Sequence, residues 1–345
     1  MATSRDMSQR SIWLVIALII AALGTMIVSF GFRTPKAEET GRFESKQAAN
    51  EALAALEERY THLREQKRYQ PVIDAATELL HRFDQHLPLH NFLAMVLSEA
   101  GRLEAAYDRL SVSLGIHPRQ ADRQFMAGVL ATKLGRLDPA LEHFRLAVNL
   151  DRQNASYRVH QAMAHFELQQ PDQARMLLLQ ALQLDSNLAE AYYGLGELDF
   201  ADNKLSLALQ QIDKAISRTP LAKRETQVKY IRKKAWILRR SNRWSDALAT
   251  LRQLTANERM DPAVVKEMAV LWDLLEKPVQ SARLFEEGLV RDPTNWSFAA
   301  AAAGHRIDTG DLDLARQHLR TLKELKPRAA EIQVLEAKLR AFVPR

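Results

Sequence analysis

The chain has 345 residues, a formal net charge of +6, 12 glycines, 12 prolines and no cysteine. Without cysteine there are no disulfides, thiolate metal sites or cysteine nucleophiles, although the compartment stays open. Few glycines and prolines amid abundant Ala, Leu, Glu, Arg and Gln favour helix, and the positive charge permits acidic partners without requiring them.

Residues 12–30 form a run of nineteen without a charge, which Gly31 and Phe32 extend. At ~1.5 Å per residue this run crosses a ~30 Å hydrocarbon core, and it lacks the polar face of a core helix. Trp13 near one end suits a membrane interface. The expectation is a tail over residues 1–11 and a single transmembrane anchor over residues 12–32. A cleaved signal peptide fits less well, because its apolar region is usually ~7–15 residues long and ends in a small-x-small site. Orientation stays open. Counting Arg33, Lys36, Arg42 and Lys46 puts the C-terminal side in the cytoplasm. Interleaved Glu38, Glu39 and Glu44 weaken that count, and Arg5 and Arg10 before a large domain match a signal anchor. The latter reading is preferred: a single-pass protein of a bacterial inner membrane with its folded part in the periplasm. Residues 33–44, with Pro35 and Gly41, read as a polar linker.

The rest of the chain is organised as residues 189–222 are. A first helix carries Tyr192, Leu195, Gly196 and Phe200. A second carries Leu205, Ala208, Ile212 and Ala215 and stops at Pro220, with Asn203 at the bend able to turn left-handed. Stepping back by 34 residues keeps the register through 155–188, 121–154, 87–120 and, more loosely, 53–86. Going forward, residues 223–227 interrupt the period before 228–261, 262–295 and 296–329. A capping helix follows over 330–342, with Ile332, Leu335, Leu339 and Phe342 on one face.

This length, with small residues at positions 8, 20 and 27 (Gly196, Ala208 and Ala215 in the frame 189–222), resembles the tetratricopeptide repeat. The resemblance implies an all-α fold, a right-handed superhelical solenoid of about eight helix-turn-helix repeats over residues 45–345. The first helix of each pair would line the inner wall. Leu79, Ser113, Leu254 and Leu322 depart from the pattern at position 27. Lys67, Gln169 and Glu276 replace the turn glycine and are expected to change angles locally, and Pro278 is expected at a turn.

In the family, groove-facing side chains come from positions 2, 5, 9, 12 and 13 of the first helix. Carried over, these are Phe125, Val129, Met163, Phe166, Tyr193 and Phe200, large apolar groups expected to escape packing by neighbouring helices and to bind an extended or helical peptide; the alternative is that several tuck against the neighbouring helix or an N-terminal segment. In the frame 228–261 they are Lys229, Arg232, Trp236, Arg239 and Arg240. A guanidinium beside an indole suits a carboxylate, a phosphate or an acidic peptide, and the alternative is a solvated basic face. The family's co-chaperone clamp does not match, since Glu57 and Thr61 stand where its basic residue and Asn are needed.

No HExxH sequence, phosphate-binding glycine loop or GxSxG elbow occurs. His86 and His90 are separated by Pro88, and His160 and His165 lie on different helix faces. The expectation is no enzyme activity, no cofactor and no metal, with nucleic acid disfavoured for want of a motif. The expected function is a membrane-anchored scaffold that binds a partner polypeptide in a concave groove and helps assemble an envelope or membrane complex. The alternative is a receptor or chaperone-like adaptor for translocating polypeptides. Oligomeric state stays open.

Overall fold

A computed structural model describes residues 37–342, with side chains from residue 46 onward. The apolar segment 12–32 lies outside the described residues, and among those residues no helix is long and apolar enough to cross a membrane. Every regular element among the described residues is helical. The chain divides into two units after Pro118.

The first unit contains α1 (Ala37–Arg64), α2 (Gln70–Arg82), α3 (Leu87–Glu99) and α4 (Leu103–Ile116). Helix α1 begins at Ala37, so residues 37–44 are helical where a linker was expected. The stretch after Pro35 is rich in Ala and Glu, and a lone Gly41, at a cost of about 1 kcal/mol, does not outweigh them. Val72 and Ala76 of α2 and Leu89, Leu93 and Ala94 of α3 are fully buried. The Tyr60 ring meets the Phe92 ring edge-on at 5.7 Å, and the Arg64 guanidinium reaches Glu99 at 2.9 Å. Ser113, one of the departures from the small-residue pattern, donates its buried hydroxyl to Asn91 Oδ1 at 2.8 Å.

The second unit continues with hairpins α5 (Ala121–Lys133) and α6 (Leu137–Leu150), α7 (Ala155–Glu167) and α8 (Pro171–Leu184), and α9 (Ala189–Ala201) and α10 (Leu205–Arg218). It then runs α11 (Arg224–Arg240), α12 (Trp244–Leu251), α13 (Ala256–Arg259), α14 (Pro262–Leu274), α15 (Pro278–Arg291), α16 (Trp296–Asp308), α17 (Leu312–Leu325) and α18 (Ala330–Ala341). Within a hairpin the helices approach so closely that a single Cβ matters. A Cβ on Gly128 would lie 2.6 Å from the Phe144 ring. Leu254 and Leu322, large where the pattern has small residues, are buried core side chains. Ile332 and Leu335 of α18 close the last cluster, with Leu339 and Phe342 packed against it.

All eight hairpin turns among the described residues share one backbone device. A residue two or three positions past the end of the first helix adopts positive φ: Lys67, Gly101, Gly135, Gln169, Asn203, Asn242, Glu276 and Gly310. At Gly135 the amide bonds to the Thr132 carbonyl at 2.9 Å, and the Arg136 amide to the Ala131 carbonyl at 2.8 Å. This pairing is a Schellman motif, and it recurs around Gln169, whose amide bonds to Phe166 while that of Gln170 bonds to His165. Lys67, Gln169 and Glu276 therefore keep the turn that glycine would make, at the steric cost of a left-handed side-chain-bearing residue. Pro278 is not at a turn; it opens α15, where a missing amide hydrogen costs nothing.

The sixth hairpin is irregular at both ends. Residues that interrupt the period lengthen its first helix, so that α11 starts at Arg224 and runs 17 residues. Its second helix, α12, stops after 8 residues, whereas α10 and α15 each run 14. Thr255 and Glu258 then form a capping box that starts α13. Arg224 grips both oxygens of Glu258 at 2.7 Å, so the added turn of α11 holds the added helix α13.

Two outcomes follow from these features. Gln169→Gly should raise unfolding free energy by about 0.5–1 kcal/mol, because relief of the left-handed strain exceeds the entropy glycine costs; urea unfolding measures this, and Gly135→Ala should shift the midpoint the opposite way. The Arg224 hydrogen bonds, with help from Thr255 and against burial, hold the Glu258 carboxyl down at about 2. A depressed carboxyl pKa contributes stability above its unfolded value of ~4.3 that is lost as pH falls toward 2. Glu258→Gln should therefore lower stability at pH 7 and flatten its fall between about pH 4.3 and 2, read by thermal melts across that range.

Candidate partner-binding surface

First helices of successive hairpins touch one another, α5 on α7 and α7 on α9, whereas second helices pack chiefly against first helices. The side chains singled out from the repeat register lie on α5, α7, α9 and α11. Most of the apolar ones are half-buried and bridge neighbouring first helices. Phe125 stacks on Tyr157 of α7, with ring centroids 4.9 Å apart, and meets His160 edge-on at 4.7 Å. Val129 is half-buried. Met163 and Phe166 pack against the cluster containing Ala191, Leu195 and Leu198 of α9. Tyr193 stacks on Tyr230 at 4.6 Å, and Phe200 lies 4.4 Å from Trp236.

The expectation that neighbouring helices leave these groups unused is therefore corrected. The first helices stack closely enough for a ring on one to reach the next, so these aromatics cover seams and are half-buried there.

Ion pairs take up most of the basic helix. Of nine Lys and Arg between residues 223 and 243, six form ion pairs: Lys223–Glu190, Arg224–Glu258, Arg232–Glu267, Lys233–Glu197, Lys234–Asp213 and Arg243–Asp246. That leaves Lys229, Arg239 and Arg240 as the cations of the run with no ion pair among the described residues. Lys229 Nζ lies 4.7 Å from the Tyr193 ring centroid. Lys233, absent from the sequence-derived set, is the most integrated. Its Nζ sits 4.5 Å from the Trp236 ring and 4.9 Å from that of Phe200, and 2.6 Å from a Glu197 oxygen. Burial, and then the hydrogen bond and charge of Glu197, push the Tyr193 phenol far above the usual tyrosine range. Tyr193 is thus a neutral donor at any physiological pH.

Trp236 and Arg239 share a cavity of about 260 Å³ with Lys266, Glu267, Val270 and Leu271. Its floor is apolar, with Leu271 buried, while Val270 is 40% exposed at its mouth. Glu267 of its lining is held by Arg232, which pairs with it at 2.5 Å. Lys266 and Val270 were missed from the sequence. The register that selected Arg232 and Trp236, applied to residues 262–295, points to them at positions 5 and 9. Among the described residues, no three His, Asp or Glu side chains converge as metal ligands would.

Residues 121–154 and 160–223 each match a family profile described as tetratricopeptide repeat. No curated protein matches the chain. Among solved structures, yeast Tom70 is similar over 79% of this chain and 58% of its own, at 20% identity and a TM-score of 0.55. Pseudomonas aeruginosa pilF is similar over 74% of this chain and 98% of its own, at 19% identity and a TM-score of 0.41. MamA is similar over 49% and 96%, at 15% identity and a TM-score of 0.42. At these identities the Tom70 likeness speaks for the fold, and it agrees with hairpins that turn left-handed and bury small residues. The chain carries tetratricopeptide repeats on an all-α helical-repeat fold.

Proposed function

We propose that the protein is a membrane-anchored interaction scaffold. Residues 12–32 hold it in a bilayer, and the first-helix face binds a partner polypeptide, for the assembly of an envelope or membrane complex. The observation that carries this reading is the cavity between α11 and α14. Its apolar floor and its rim of Arg239 and Lys266 suit a large apolar side chain flanked by a carboxylate. Packing of α5 on α7 and of α7 on α9 supports placing the partner on the first-helix face, where the repeat family has its inner wall. The flanks of Tyr193, Phe200 and Trp236 left to solvent extend the apolar contact beside it. Anchoring in a membrane confines the search for partners and raises their effective concentration.

Two measurements test the reading. Full-length protein solubilised in detergent should co-purify with a partner at fixed stoichiometry, and Arg239→Glu with Val270→Glu should abolish this. Melting should move by no more than ~0.5 kcal/mol equivalent, since Val270 is 40% exposed and surface changes are usually that small. Undiminished capture by the double variant overturns the assigned face, and a broad set of unrelated nascent chains replaces the scaffold with a receptor. Separately, deletion of residues 12–32 should release the protein from alkali-washed membranes into the soluble fraction; retention in the membrane refutes the anchor.

A further inference from the structure

On the other side of α14 from the Trp236 cavity, the irregular hairpin creates a second space that the partner-binding reading does not use. The chain leaves α12 early, and the segment that follows opens a cavity of about 430 Å³ against α14 and α15, lined in part by Arg252, Arg259, Arg283, Met268, Trp272 and Glu287. That volume falls in the range of small-molecule sites, ~300–1,000 Å³.

The walls are built and held. Arg259 Nη1 donates to the carbonyl oxygens of Arg252 and Leu254 at 2.9 and 2.8 Å. Arg291 Nη1 donates to Asn257 Oδ1 at 2.8 Å, tying α13 to α15. With the Thr255–Glu258 capping box and the Arg224–Glu258 pair, these bonds fix the segment that carries Arg252 and Arg259. The floor is apolar: Met268 and Leu284 are buried, and the half-buried Trp272 indole packs against their cluster, with the Arg252 guanidinium 5.1 Å and the Lys277 ammonium 5.7 Å from its centroid.

The charge of the lining is out of balance. Three guanidinium groups face a single carboxylate, Glu287. Elsewhere arginines find acids, as Arg175 finds Asp199 and Arg306 finds Glu286, but Arg252 and Arg283 make no ion pair among the described residues. Holding like charges together is unfavourable unless an anion joins them. Two uncompensated charges match a phosphate monoester, which carries roughly −1.5 to −2 at neutral pH, better than a monocarboxylate. Guanidinium forks bind such oxyanions through paired hydrogen bonds, and the indole and methionine floor suits a flat apolar body.

We propose that this cavity binds a small amphipathic phosphate: a flat apolar body seated on Trp272 and Met268, with its phosphate held by Arg252, Arg259 and Arg283. The site is independent of the partner-binding face, since Arg239 and Val270 take no part in it.

Titration calorimetry on the full-length protein in detergent tests this, with phenyl phosphate, inorganic phosphate and benzoate as probes. Phenyl phosphate should bind about ten-fold or more tighter than either of the others. Arg252→Ala with Arg283→Ala should weaken it at least ~ten-fold, with melting little changed, because both side chains are exposed and only the Arg252–Trp272 contact is lost. Trp272→Phe keeps an aromatic floor and should keep the preference for phenyl phosphate over inorganic phosphate. Absence of phenyl phosphate binding at millimolar concentration, equal affinity for inorganic phosphate, or full affinity in the double arginine variant overturns the proposal.

Discussion

Everything in this molecule depends on how closely two helices approach within a hairpin. At Gly128 a Cβ would stand 2.6 Å from the Phe144 ring, and at Gly196 one would stand 2.8 Å from Ile212 Cδ1. Such proximity leaves each pair with apolar surface on its outer flanks that the pair cannot bury alone, so hairpins stack. It also demands a short reversal, which a left-handed residue with its two Schellman hydrogen bonds supplies each time. Lys67, Gln169 and Glu276 accept that geometry despite their side chains, because helix packing on both sides outweighs a local strain of about 1–2 kcal/mol.

The same stacking decides the electrostatics. Ion pairs join side chains roughly one repeat apart: Lys223 to Glu190, Arg232 to Glu267 and Lys233 to Glu197. A dense run of cations on α11 is thereby neutralised largely by acids of the adjoining first helices and of α13. Most of these pairs are partly exposed and each adds little stability. Lys233–Glu197 is the more buried, and it also sets the Phe200 and Trp236 rings beneath an ammonium group.

Where the repeat loses its regularity, two of its recesses lie side by side. Extra residues at the start of α11 and an early end to α12 are one structural event, because Arg224 of the first clasps Glu258 of the segment that replaces the second. Helix α14 is flanked on both sides, by the recess at Trp236 and Arg239 and by that at Trp272 and Arg252. Between α5 and α7 and between α9 and α11, aromatic stacks cover the seam instead, Phe125 on Tyr157 and Tyr193 on Tyr230.

Much of this was legible in the sequence. Helical periodicity, small residues at close approaches and Asn203 at a bend are local signals repeated every 34 residues, and repetition separates them from noise. The capping role of Ile332 and Leu335 was legible for the same reason. Lys266 and Val270 were within reach of the register. What stayed hidden was whatever depends on a neighbouring hairpin. Whether Phe125 or Phe200 faces solvent is decided by how near the next first helix lies. Whether Arg232 is an available cation is decided by Glu267, thirty-five residues away. Helical propensity alone extended α1 back to Ala37, but the consequence of the break at residues 223–227 was tertiary. The sequence determined the unit and its period, because both follow from local backbone and side-chain size. Only the stacked structure decided which side chains remain for a partner, because exposure and charge belong to pairs of hairpins and not to any one of them.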